Sequence, residues 1–367
     1  MHCTWSIAIV NTKEFVHSVM NTIPTTFNGI HPPYTAVGGA SRKASTGLSA
    51  VILNRGGKFS RFTLFEELAK AGFDYILSME GSSNRYDIEA LSGNFPFVRF
   101  VLLKEPVSPG EEINIAANEV SSPLFFVLWN DLKILRSGGA ERMAERLILS
   151  SAAQTQSGDT AVHYKRLCTA PLIQNAYFET LPTLIAPAFI AEKRASNFIT
   201  TLQFVPHKEG LQSLYPFDGI GIYDRERFIR LGGFDPCIKS FYWQLVDFGF
   251  RSRLWGEDIA TTQLVKLSYQ WDVPEKDSSA GDSYKRFFLK NLAPVFRHDY
   301  AHIPLRSFLG YIRKMGGELF TAWEEFSAAR KWVEINRYRF KSDARSIVEQ
   351  WDDFSFSHAE SNAGLEQ

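Results

Sequence analysis

Several side chains in this 367-residue chain stand where they could do chemistry. Asn130 and Asp131 directly follow an apolar run, 124–129, Glu80 follows a second run, 75–79, and Arg55 lies in the polar glycine turn after a third, 48–53. Asp218 sits in the loop Pro216-Phe217-Asp218-Gly219, Asp247 precedes Arg251 by four residues, and His298 and His302 flank Asp299. A carboxylate can take a proton as a general base or hold a hard divalent cation through oxygen. An arginine offers a fixed fork of donors to anionic oxygens. Two imidazoles four residues apart share one helix face, as metal ligands often do, although Pro304 interrupts such a helix and no third ligand accompanies the pair. Each residue also has an ordinary use: an aspartate after a strand caps a turn or helix, and Asp247 with Arg251 makes an i, i+4 ion pair. Trp243 and Trp255 could form a sugar platform or pack in the core.

The elements that must position these residues follow a regular cycle from Leu48 onward. Strands are expected over 48–53, 75–79, 98–103 and 124–129, alternating with helices marked by Phe62, Phe65, Leu68 and Ala69, then over 86–91 and 111–120. Continuous apolar strands alternating with helices imply an α/β fold with a mostly parallel sheet covered on both faces. Ligands then sit beyond the carboxyl ends of the strands, in the loops that carry Arg55, Glu80 and Asp131. A helix over 139–150, a strand over 220–223 and a helix over 225–231 are also expected, while the Pro-punctuated stretch 170–187 carries no clear pattern. Residues 1–47 read as an extension with a strand at 6–10 and a helix at 13–22. The region 261–356 reads as helical and 357–367 as a disordered tail.

The stretch 223–256 places a helix, the turn Gly232-Gly233-Phe234-Asp235-Pro236 and a second helix with Asp247-x-x-x-Arg251 ahead of Gly256. This resembles the acceptor-side signature of the family 2 glycosyltransferases, which are inverting enzymes of GT-A fold. Met79-Glu80-Gly81-Ser82 is similar to that family's D-D-G-S element, and Asn130-Asp131-Leu132 stands where it carries D-x-D. The resemblance spans about residues 48–256, with a nucleotide-binding half (48–136) and an acceptor half (160–256) in a domain ending near 260.

It implies a nucleoside diphosphate sugar as donor, with Arg55 at the diphosphate, Glu80, Asn130 and Asp131 around the nucleotide, and Asp131 as ligand of a divalent cation, Mn²⁺ or Mg²⁺. The family's catalytic E-D pair falls on Gln244 and Leu245, which leaves Asp247 or Asp218 as candidate base. Two other readings stand beside transfer of a sugar to a glycan, lipid-linked or other hydroxyl acceptor. One is a catalytically silent binding or scaffold protein of the same fold. The other is a sugar-phosphate nucleotidyltransferase, from Gly56-Gly57-x-x-x-Arg61, against which Phe59 stands where a third glycine is needed.

Lys plus Arg equal Asp plus Glu at 40 each, so no global field draws the chain to nucleic acid, and no RNA-binding aromatic signature or P-loop is present. Cys3, Cys168 and Cys237 are too few and too scattered for a disulfide framework or zinc site. A reducing, cytoplasmic location is expected. Basic residues among the aromatics after Tyr284 leave open peripheral membrane association or a homodimer.

Overall fold

In a computed structural model, residues 32–39, 46–55, 62–71, 73–81, 88–156, 166–189, 200–275, 277–279, 281–315 and 319–351 are described. The strand expected at 6–10, the helix at 13–22, the loop 56–61 and the tail 357–367 lie outside these residues.

The strands are β1 (Tyr34–Gly38), β2 (Leu48–Leu53), β3 (Ile76–Glu80), β4 (Val98–Leu103), β5 (Leu124–Trp129), β6 (Leu132–Ile134), β7 (Arg166–Gln174), β8 (Leu184–Phe189), β9 (Thr200–Val205), β10 (Gly221–Asp224), β11 (Asp258–Tyr269), β12 (Val295–Arg297) and β13 (Tyr300–His302). The helices are α1 (Phe62–Lys70), α2 (Ile88–Asn94), α3 (Pro109–Glu119), α4 (Gly139–Gln156), α5 (Arg225–Leu231), α6 (Phe241–Leu254), α7 (Asp282–Phe287), α8 (Ser307–Met315), α9 (Leu319–Asn336) and α10 (Ala344–Glu349).

Nine strands form one sheet in the order β1-β4-β3-β2-β5-β10-β7-β11-β6. The expected parallel core is β4-β3-β2-β5, and every residue of β2 and β5 is buried, which explains why both read as unbroken apolar runs. Burying a Val, Leu or Ile side chain contributes about 1.5–3 kcal/mol, so these central strands anchor the sheet. β10 lies antiparallel between β5 and β7 and joins the two halves, while β11 runs parallel to β7.

Three features depart from the sequence reading. Residues 34–38, expected as part of an extension, form β1 at the sheet edge against β4. The domain boundary expected near 260 falls inside β11, because that strand continues the central sheet. The stretch 170–187 begins in β7 and ends in β8, with a connection over 175–183. Pro171 has no N–H to offer the ladder, and β11 answers it with a bulge: Thr262 pairs with Pro171 but Lys266 with Leu172.

Capping fixes the helix at the centre of the molecule. Ser108 caps α3 and Glu111 closes the capping box, an arrangement that stabilises a helix start by about 1 kcal/mol. Gly110 allows a close approach there: a Cβ on it would lie 2.5 Å from the Gln244 Oε1 and 2.8 Å from the Phe234 Cβ. α5 ends at Gly232, whose φ of 93° needs a residue without a Cβ. The turn that follows is clamped to α3 by Asn114, whose Nδ2 donates to the Phe234 carbonyl (2.8 Å) while its Oδ1 accepts from the Phe234 N–H (2.9 Å).

Among the described residues after Tyr269, the regular elements are helices apart from the hairpin β12–β13, whereas 261–269, also expected as helical, belong to β11. His298 sits at its turn with φ 58° and His302 ends β13, so the two imidazoles do not share a helix face.

Candidate functional site

Strand register brings the candidate residues together. Leu53 pairs with Trp129 at the carboxyl ends of β2 and β5, so the next two positions set Asn54 beside Asn130 and Arg55 beside Asp131. β10 runs antiparallel to β5 with Gly221 opposite Val127, which delivers Asp218 to the same end from the other half of the sheet. β11 ends at Tyr269, paired with Leu132 just past Asp131. Residues more than 200 positions apart in the chain therefore meet at one spot, because parallel strands end level with one another.

Arg55 is the centre of this spot. Its Nη1 donates to the Asp131 Oδ2 at 2.9 Å and its Nη2 pairs with the Asp218 Oδ2. The guanidinium lies over the Trp129 ring, 3.8 Å from its centroid, where a planar cation is attracted by the ring's negative face. Burial works to lower the Arg55 pKa, but Asp218 and Asp131 outweigh it and raise the pKa above its ordinary value. Tyr269 donates its hydroxyl to the same Asp218 oxygen at 2.7 Å, and the Trp129 indole N–H donates to the Asp218 carbonyl at 3.0 Å. Asp218 itself adopts φ 56°, ψ 22°, the left-handed region that a non-glycine residue occupies at a cost and often at functional positions. Asp131 keeps a second oxygen, Oδ1, that is buried and lacks a hydrogen-bond partner among the described residues. Its pKa is raised by burial, which Arg55 only partly offsets.

Asn130 ties the loops after β2 and β5 together. Its Oδ1 accepts from the Arg55 backbone N–H (3.2 Å) and its Nδ2 donates to the Asn54 side chain (2.8 Å). Glu80 lies alongside, accepting from the Ser78 hydroxyl at 2.8 Å and from the Asn54 amide at 3.4 Å. Glu112, from the first turn of α3, stands near it. Burial and the Glu80 charge push the Glu112 pKa up to about 8, so it is mostly protonated at neutral pH.

Asp247 is elsewhere and is fully buried. It pairs with Arg251 at 2.8 Å and Lys290 at 3.3 Å and accepts from the Asn291 amide at 2.7 Å. Burial would raise its pKa, but Lys290 and Arg251 hold it below the usual carboxylate range. Asp235, from the glycine turn, is likewise held below the usual carboxylate range, because Arg286 and Lys290 outweigh the effect of burial. A carboxylate enclosed by two cations has no route to an acceptor hydroxyl, and the candidacy of Asp247 as base gives way to a structural role. Gln244 is also fully buried. It accepts from the Gly110 N–H at 3.2 Å and donates to the Ser108 hydroxyl at 2.7 Å, fixing the start of α3.

A divalent cation, implied by the sequence resemblance, finds a poor set of ligands. Such ions take six or more oxygens, which for Mg²⁺ commonly come from one or two carboxylates together with water and substrate phosphates, so the carboxylates present must have oxygens to give. Among the described residues no group of three or more His, Cys, Asp or Glu side chains could hold a metal. Asp131 and Asp218 each commit an oxygen to the same guanidinium. The residues at this site do not fit a bound cation while Arg55 spans them.

Trp129, Asn54, Tyr269 and Glu112 complete the site beyond the residues singled out from sequence. Trp129 closes the apolar strand before Asn130-Asp131, a signal the sequence carries; Tyr269 ends a strand that sequence patterning does not show. Trp243 stacks on Phe287 and Trp255 on Trp332, both as packing partners.

No family model matches the chain, and no curated protein matches it. Among solved structures it is similar to GalNAc-T7 crystallised with UDP, GalNAc and Mn²⁺, with 11% identity, 78% of this chain and 55% of that chain covered, and a TM-score of 0.51. It is also similar to TarS from S. aureus (12% identity, 77% of this chain and 42% of that one, TM-score 0.42). A further match is the mannosyltransferase PcManGT from Pyrobaculum calidifontis in complex with GDP-Man and Mn²⁺ (10% identity, 87% and 79%, TM-score 0.40). The chain thus spans about half the length of the first two structures it matches. The fold is that of the GT-A glycosyltransferases.

Proposed function

We propose that this protein transfers a sugar from a nucleoside diphosphate sugar to a hydroxyl of a carbohydrate or lipid-linked acceptor, with inversion at the anomeric carbon. The observation that carries this reading is the meeting of Arg55, Asp131 and Asp218 at the carboxyl ends of parallel strands in a GT-A fold. Glu80 and Asp131 lie on the nucleoside side of the site, and Arg55 turns its remaining N–H groups to the diphosphate. In the transfer, the acceptor oxygen bonds to the anomeric carbon while the bond from that carbon to the diphosphate oxygen breaks. The bonding pair leaves with the diphosphate. The acceptor's proton passes to the Asp218 carboxylate, whose Oδ2 is held by Arg55 and Tyr269 and whose side chain is 13% exposed.

The test is a thermal-shift panel of UDP- and GDP-sugars followed by transfer assays on Asp218→Asn. Saturable stabilisation is expected with at least one donor. Asp218→Asn should keep donor affinity within a few-fold and lose about 10²- to 10⁴-fold in turnover, the usual worth of a positioned base. Unchanged turnover in that variant rules Asp218 out as the base.

One observation favours the scaffold reading: the position of the family's catalytic carboxylates carries a fully buried Gln244 that serves packing. Donor binding without transfer to any acceptor, and without hydrolysis of the donor, would decide for it.

A further inference from the structure

Arg55 stands between two carboxylates, and it is held there from several sides. Asp131 binds one terminal nitrogen, Asp218 the other, Trp129 lies under the guanidinium plane, and the Arg55 backbone N–H is fixed by Asn130. A guanidinium has five N–H donors, of which two are used in these ion pairs. Arg55 makes no other side-chain hydrogen bond among the described residues, and its side chain remains 16% exposed.

We propose that Arg55 is the resident cation of this site and that the protein binds its donor and releases the diphosphate without a divalent metal. This rests on the donor-binding reading above. The charge argument is local. Asp131 and Asp218 face one another across Arg55, whose positive charge stands between the two acids and offsets their mutual repulsion. A divalent ion supplies that charge in a site built from two acids. Here the guanidinium supplies it permanently, while its free N–H groups remain to meet the oxygens on which the bonding pair of the breaking anomeric C–O bond is left. The second half of the usual acidic pair is accordingly dispensable: Asn130, at that position, has its amide engaged at both ends in holding the loops of β2 and β5 together. Arg is suited to this because its planar fork can pair with a carboxylate on each terminal nitrogen and still present three N–H donors elsewhere, where a lysine spanning the same two acids would keep one.

The experiment has two readouts on the wild type, Arg55→Gln and Arg55→Lys, each first checked for folding by circular dichroism. Uptake of Mn²⁺, without nucleotide, is followed by electron paramagnetic resonance of the free ion. Affinity for UDP and for GDP is measured by calorimetry in EDTA and in excess MnCl₂. The wild type should take up no stoichiometric Mn²⁺ and should bind its nucleotide equally well, within about twofold, with or without metal. Arg55→Gln frees both carboxylates: it should bind Mn²⁺, lose about tenfold or more in nucleotide affinity in EDTA, and recover part of that loss when Mn²⁺ is added. Arg55→Lys keeps the charge and should take up less Mn²⁺ than Arg55→Gln. Stoichiometric Mn²⁺ uptake by the wild type, or a tenfold gain in its nucleotide affinity with Mn²⁺, overturns the proposal. So does an Arg55→Gln protein that takes up no Mn²⁺ and binds nucleotide in EDTA as the wild type does. If neither nucleotide binds the wild type under any condition while the Mn²⁺ result holds, the donor reading fails and the cation-replacement geometry stands by itself.

Discussion

Two carboxylates of opposite character stand out at the scale of single residues. Asp247 is buried but charged, because Lys290 and Arg251 compensate it; Glu112 is buried and mostly neutral, because burial and Glu80 both oppose its ionisation. The second has a measurable consequence. Its pKa is raised from 4.5 in the unfolded chain to about 8 in the folded one, so the folded state holds a proton that the unfolded state gives up. The stability tied to that proton is fully present below about pH 4.5 and is lost as pH rises through about 8. Glu112→Gln cannot ionise, so its melting temperature should fall less steeply than that of the wild type between about pH 5 and pH 8. Parallel melting curves across that window would mean that Glu112 is ionised in the folded protein.

At the scale of elements, the glycine turn and α6 are fastened to the carboxyl-terminal region by a buried charge network. Arg286 of α7 and Lys290, in the π-helical turn Phe288–Leu292, reach Asp235, while Lys290 and Asn291 reach Asp247. Asp247→Asn leaves Arg251 and Lys290 short of a counter-charge and should cost about 3–5 kcal/mol in urea unfolding. Lost turnover with unchanged stability would instead return Asp247 to the chemistry.

The same elements show what could be read from sequence. β2, β4 and β5 match their expected spans, because strands buried on both faces are written as apolar runs. β7 and β11 were hidden: one contains Pro171, and the other carries Gln263, exposed at the bulge that Pro171 imposes. β1 is a five-residue edge strand with no fully buried position, too short and too exposed to announce itself. The site was legible to the extent that it follows from parallel strands ending level, which pointed to Arg55, Glu80 and Asp131. Tyr269 and the pairing of Arg55 with Asp218 depend on strand neighbours that local patterning does not encode.

At the scale of the whole molecule, β10 is the seam between two halves of one sheet, and the candidate site sits across that seam. Arg55, Glu80 and Asp131 come from the first half, Asp218 and Tyr269 from the second, so a ligand held there stabilises both halves together. The chain carries no net charge to steer a donor from a distance, which places recognition in these short-range contacts. The most direct measurement is hydrogen–deuterium exchange of the full chain with and without the nucleotide sugar that the thermal-shift panel selects. Protection should concentrate in residues 53–55, 79–81, 129–132 and 217–220, the segments that carry these side chains. Protection confined to other parts of the sheet or to the carboxyl-terminal helices, with these four segments unchanged, would contradict the account.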